Sequence, residues 1–143
     1  MEHLAAAIRH SALVRAKPSE VFAVLSTGSG WSSWFTSEAV FEARPGGAVR
    51  FVWRNWGPDA IDVTDQGSVL AAEPDHSLVF TWGDPPSRVS IVIDPCDRGC
   101  IVRLTEDQLP PGEAGIERLA DCAAGWGEAL TLLKFYVEHG LTY

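Results

Sequence analysis

The sequence is short of cationic residues, of cysteine and of long apolar runs. Its 143 residues carry 11 Lys and Arg against 19 Asp and Glu, a formal charge of −8. Nucleic-acid affinity rests on basic residues that release counterions from phosphates, so general nucleic-acid binding is not expected. The same imbalance argues against docking on anionic membranes. No run approaches the roughly eighteen apolar residues that read as a membrane span. The opening residues, Met1-Glu2-His3-Leu4, show no basic segment leading into an apolar one. No secretory leader is therefore read, and a cytoplasmic protein is the expectation.

Cysteine is limited to Cys96, Cys100 and Cys122. An odd number in a cytosolic context does not suggest a disulfide framework. Cys96 and Cys100 flank Asp97-Arg98-Gly99, a turn. A closed zinc site needs about four ligands, and only Cys122 and a distant histidine could complete one. No metal and no cofactor are expected. The usual signatures of nucleophilic and phosphate chemistry are missing too. There is no G-x-S-x-G elbow, and Gly46-Gly47 does not open a helix, so it is no phosphate loop. Asp59, Asp62 and Asp65 alternate with hydrophobic residues as a wet strand face does, without the spacing of a calcium loop.

What is present is a composition able to bury a core: 46% hydrophobic and 10% aromatic, at a length typical of one domain. The chain is accordingly expected to form a single domain over residues 1–143. From Ile8 to Ala16 the charges fall on odd positions and Ile8, Ala12 and Val14 on even ones, the period of a strand. Lys17-Pro18-Ser19-Glu20 opens a short helix, with proline where its missing N–H costs nothing. Ser26 to Gly30 ends it, and Trp31 to Phe35 is placed as one further helical turn.

Strand periodicity then takes over around Val49-Phe51-Trp53, Ile61–Ala72, Leu78–Trp82, Val89–Ile93 and Ile101–Thr105, each separated by turn residues. Short links join antiparallel neighbours, which makes a meander. Beyond Gly112 to Gly115, the residues Ile116, Leu119, Ala123, Trp126, Leu130, Leu133 and Val137 recur at helical spacing, with Gly140 as the cap. A twisted sheet wrapped around one long helix leaves room for a gap between them.

Several segments carry a resemblance in their order and spacing. They are Lys17-Pro18-Ser19-Glu20-Val21-Phe22, Trp31-Ser32-Ser33-Trp34-Phe35, Pro45-Gly46-Gly47 before Val49-Arg50-Phe51, Gly67-Ser68-Val69 leading to Glu73-Pro74, Leu78 to Trp82, and Gly125-Trp126 with Leu130, Leu133 and Lys134. Together they cover nearly the whole chain. On these residues the sequence resembles the Aha-type branch (activator of heat-shock-protein ATPase homologue-like) of the START/Bet v-like superfamily, the SRPBCC proteins. The resemblance implies an α+β helix-grip fold: a curved antiparallel sheet of about six or seven strands around a long C-terminal helix, with two short helices after the first strand. It also implies a deep apolar cavity. Relatives include lipid-transfer domains, cyclases, hormone receptors and chaperone ATPase activators, so fold alone does not give function. The sequence lacks the additional N-terminal domain of the chaperone activators, which makes a chaperone partner the weaker expectation.

The candidate ligand-binding residues are Trp31, Trp34, Phe35, Phe51, Trp53, Phe80, Trp82 and Trp126, with His10 and Glu106 as polar groups that could orient a ligand. Large aromatics fill cores as readily as they wall cavities. Trp31 and Trp34 are expected near an entrance, and Trp56, in a Gly-Pro turn, on the surface. His10 lies on the apolar face of the first strand, where it reads either as a general base or as a satisfied core histidine. Glu106 reads either as a carboxylate at a cavity rim or as a residue at a fraying strand end. No catalytic residue is assigned. The leading expectation is a module that binds a small apolar or amphipathic molecule. A cyclase- or hydrolase-like enzyme and a chaperone-activating interaction domain are the alternatives. Oligomeric state is not legible in the residues.

Overall fold

The computed structural model describes residues 2–143 of the chain. Its elements run β1 (Ile8–Val14), α1 (Pro18–Leu25), α2 (Gly28–Trp34), β2 (Glu38–Phe41), β3 (Ala48–Trp56), β4 (Ile61–Glu73), β5 (Ser77–Trp82), β6 (Ser87–Cys96), β7 (Gly99–Asp107) and α3 (Gly112–His139). The strands form one seven-stranded antiparallel sheet in the order β1-β7-β6-β5-β4-β3-β2. This is the α+β helix-grip arrangement expected from the sequence, with a curved sheet, two short helices after the first strand and a long C-terminal helix. No helix among the described residues is long and apolar enough to cross a membrane.

Period-two patterning decides which sheet face is dry. Val89, Ile91 and Ile93 on β6, Leu78, Phe80 and Trp82 on β5, and Cys100, Val102, Leu104 and Glu106 on β7 are all buried. Their neighbours in sequence are more exposed, as alternation requires. The strands run further than the most apolar residues suggest. In particular β7 continues to Asp107, where Arg88 holds Asp107 through two hydrogen bonds of 3.0 and 2.8 Å. Glu106 therefore sits inside a paired strand, opposite Ile8 and Val89, and not at a frayed end.

The two short helices are stitched together by indoles. Trp31 donates Nε1–H to the carbonyl of Leu25 at 2.7 Å, and Trp34 donates to that of Val24 at 3.1 Å. These carbonyls end α1 and would otherwise lack helical partners. Thr27 caps α2 by accepting from the Gly30 amide at 3.0 Å. The helix thus starts three residues before the single turn placed at Trp31. Trp31 packs against Trp34, Phe51 and Phe41 with ring centroids at 5.0, 4.9 and 5.9 Å. Burying an indole of this size removes about 150–250 Å² from water, roughly 4–6 kcal/mol before entropy.

The four-residue strand β2 has no counterpart in the sequence reading. Its exposed Glu38 and Val40 and short length give it little periodicity, and it forms only by pairing with β3 at the sheet edge. The helical stripe on α3 also differs from the pattern: Ile116 is 58% exposed. At about 1.5 Å per residue, 28 residues reach about 42 Å, so the sheet cannot cover the whole rod. Besides Gly115 near its start, Trp126, Ala129, Leu130 and Leu133 are the covered part. Gly140 closes the helix in the left-handed region, at φ 68°.

Beta4 is the element that opens a space. Its regular ladder with β5 runs from Val69 to Glu73; Ser68 and Gln66 still bond Thr81 and Gly83, whereas Ile61 to Asp65 pair with β3 alone. Irregular pairing at Trp53/Trp56 and Val69/Ala71 marks both transitions. Gly67 lies at the branch; a Cβ there would collide with the Thr81 carbonyl oxygen. The tip of the β3–β4 hairpin thus diverges from β5 and faces the first half of α3.

Candidate functional site: an aromatic cleft between the hairpin and the long helix

The space between the β3–β4 hairpin and α3 is a cleft of about 570 Å³. That volume lies within the range that holds a drug-sized ligand. Alternation on β4 places Ile61, Val63 and Asp65 on the cleft side, while β3 contributes Trp53 and Trp56. Phe35 enters from the end of α2, and Trp82 from β5. Helical spacing on α3 brings Glu117, Arg118, Asp121, Cys122, Gly125, Trp126 and Glu128 to the same opening.

The aromatic wall is fixed by a buried carboxylate. Glu106 is fully buried. One of its oxygens, Oε2, accepts from Trp82 Nε1 at 3.0 Å and from the Ser87 hydroxyl at 2.6 Å. The other, Oε1, accepts from Trp126 Nε1 at 2.8 Å. An unpartnered carboxylate in such a place would be strongly unfavourable, and three donors offset its desolvation. Trp82 and Trp126 are thereby held in a stack with centroids 5.1 Å apart. Phe35 packs on Trp126 at 6.1 Å and edge-on to Trp53 at 5.2 Å.

Arg118 continues the network outward. Its Nη2 donates to the Ser87 hydroxyl at 2.9 Å and to the Trp82 carbonyl at 3.1 Å, and its Nη1 donates to the Pro85 carbonyl. The guanidinium thus ties α3 to the β5–β6 turn. Asp65 has no hydrogen-bond partner and no ion pair among the described residues. Burial pushes its carboxyl above the ordinary value; the charge of Arg118 opposes this and that of Glu106 adds to it. The Cys122 thiol is pushed up to about 12, chiefly by burial and then by the Glu106 charge. It is a protonated thiol near neutral pH and no ready nucleophile.

Trp53 is buried, lines the cleft, and its Nε1–H has no acceptor. Trp31, Trp34, Trp82 and Trp126 all spend theirs. The half-buried Trp56, expected on the surface, contributes to the wall and packs against Tyr143 at 4.6 Å.

The residues singled out from sequence thus fall into three places. Phe35, Trp53, Trp82 and Trp126 line the cleft. Trp31, Trp34, Phe51 and Phe80 are packed in the core, so the first two form no entrance. Glu106 lies behind the wall and not at a rim. His10 is not among the cleft residues; its ring Nε2 lies 2.9 Å from the Ala123 carbonyl, where a protonated Nε2 donates and joins β1 to α3. Asp65, Arg118 and Cys122 were missed. Asp65 reads as part of a wet face with Asp62, yet it shares parity with Ile61 and Val63. Asp62 instead takes the Asn55 amide at 2.8 Å. Arg118 and Cys122 sit beside the apolar stripe of α3, a position that says nothing about a facing hairpin. No group of three or more His, Cys, Asp or Glu side chains among the described residues could hold a metal ion.

A curved antiparallel sheet gripping one long helix, with a cleft where they part, defines the helix-grip class. Within it, the chain belongs to the family described as activator of Hsp90 ATPase homolog 1-like protein, which matches residues 15–138. No curated protein sequence is similar enough to count as a match. Solved structures agree on the fold. A protein from Rhodobacter sphaeroides is 24% identical, with 96% of this chain and 95% of that one covered and a TM-score of 0.79. The Aha1 dimer from Colwellia psychrerythraea is 18% identical over 94% of this chain and 98% of that one, with a TM-score of 0.77. DynU16, from the dynemicin biosynthetic locus, is 21% identical, with a TM-score of 0.78; 94% of this chain aligns to 48% of that one.

Proposed function

We propose that the protein is a binding module for a small apolar or amphipathic molecule held between the β3–β4 hairpin and α3. The observation that carries this reading is the cleft of about 570 Å³ walled by Phe35, Trp53, Trp56, Trp82 and Trp126. Burial of a ligand's apolar surface would supply affinity at about 25 cal/mol per Å² before association costs. The Glu106 network supports the reading because it pre-sets two of the five rings, so a ligand need not order them. Native mass spectrometry against lipid and aromatic polyketide mixtures tests it. A stoichiometric adduct that is lost on narrowing the cleft with Gly125→Trp is expected. Absence of any adduct across both mixtures would count against the module.

A second reading, stimulation of a chaperone ATPase, is favoured by the family's description. Its test is the ATPase rate of the cognate Hsp90 with and without this chain. An unchanged rate removes it.

A further inference from the structure

The wall of the cleft is aromatic, but its charged groups are of one dominant sign. Asp65, Glu117, Asp121 and Glu128 line it against a single cation, Arg118. Glu117, Asp121 and Glu128 recur at spacings of four and seven on α3, which puts them on one exposed stripe along the rim of the cleft, while Asp65 on β4 is half-buried. None of the four carboxylates has a hydrogen bond or ion pair to a protein cation among the described residues. The one cation is committed elsewhere, to the Ser87 hydroxyl and the carbonyls of Trp82 and Pro85. The wall is also unfinished: Trp53 is 6% exposed, yet its Nε1–H is spent on nothing.

Unspent carboxylates beside the aromatic rings of a cleft wall favour one kind of group. The negative face of an indole attracts an ammonium within about 6 Å of its centroid, and a carboxylate adds directly to that field. An anionic headgroup would meet the half-buried Asp65 and three exposed carboxylates at the rim, and would have only an engaged arginine to pair with. We infer that the ligand of this cleft is an organic cation, an apolar amine or quaternary ammonium whose charge sits beside Asp65 while its ring or chain lies on Trp82, Trp126 and Phe35. This inference rests on the ligand-binding reading and narrows it to a charge class.

The test compares three probes of similar shape by isothermal titration calorimetry: naphthylethylammonium, naphthylethanol and naphthylacetate. The ammonium binds about tenfold more tightly than the alcohol at low salt, the carboxylate more weakly than either, and added salt narrows the gap. In Asp65→Asn the ratio of ammonium to alcohol affinity falls towards one. Asp121→Asn, at the exposed rim of the cleft, lowers the same ratio less and serves if Asp65→Asn does not fold by circular dichroism. Equal affinity for ammonium and alcohol overturns the charge class and leaves the binding module standing. Tighter binding of the carboxylate overturns the charge class as well. Failure of all three probes to bind overturns both.

Discussion

Trp82 and Trp126, from β5 and α3, stack 5.1 Å apart and donate their indole N–H groups to opposite oxygens of the one carboxylate, Glu106. Strand β5, helix α3 and strand β7, which lies on the far side of β6 from β5, are thus locked at a single buried point. The shape of the cleft depends on that lock, because both rings form its wall.

The lock has a measurable strength. Glu106→Gln replaces one acceptor oxygen with an NH₂ group that faces a donor. Leaving one such buried group unsatisfied costs about 1–3 kcal/mol. Glu106→Ala strands all three donors, and the loss is larger. Urea denaturation followed by tryptophan fluorescence measures both. Variants as stable as the parent would mean that the network holds nothing together.

Asp65 gives a pH dependence with a definite sign. Burial raises its carboxyl in the folded chain, with Arg118 opposing and Glu106 reinforcing the shift, and with Cys122 close by as an uncharged thiol. A raised acid binds its proton more tightly when folded. Its contribution to stability is complete below the ordinary value of 3.8 and is lost as pH rises through the shifted one. Asp65→Asn, which cannot ionise, should therefore melt above the parent at pH 7, and the gap should close towards pH 4 and below. Cation affinity should move oppositely, weakening as Asp65 is protonated. Parallel melting curves of parent and variant across that range would contradict the burial of this carboxylate.

Cys122 reports on the same wall. With its thiol pushed from 9.0 to about 12, the folded chain holds about a thousandfold less thiolate at neutral pH than an ordinary cysteine. Iodoacetamide at pH 7.5 should label the exposed part of Cys96 first and Cys122 only after denaturation, as read by peptide mass spectrometry. The raised value also means that this group stabilises the fold below pH 9 and ceases to do so between pH 9 and 12. Rapid labelling of Cys122 in the folded chain would place it in a wetter setting.

The architecture was legible because period carries it. The alternation through Leu78, Phe80 and Trp82 and the three-and-four spacing through Trp126, Leu130 and Leu133 are direct consequences of which face is dry. Beta2 was not legible, because four residues at an edge take their structure from β3. The aromatic wall was half legible. Phe35, Trp53, Trp82 and Trp126 have the composition of a pocket, but so do Trp31, Phe51 and Phe80, which the core absorbs. What separates the two sets is the divergence of the β3–β4 hairpin from β5, set by pairing irregularities and by Gly67. Asp65 and Arg118 were hidden for the same reason: their roles come from facing each other across a gap that no local pattern encodes.

The chain's six tryptophans make one measurement decisive. Each indole N–H gives a separate resonance in a proton–nitrogen correlation spectrum, and single Trp→Phe variants assign them. Titration with naphthylethylammonium should shift Trp53, Trp56, Trp82 and Trp126, which line the cleft, and leave Trp31 and Trp34, bonded to Leu25 and Val24, in place. Shifts confined to Trp31 and Trp34, or none at saturating probe, would contradict a ligand site between the hairpin and the helix.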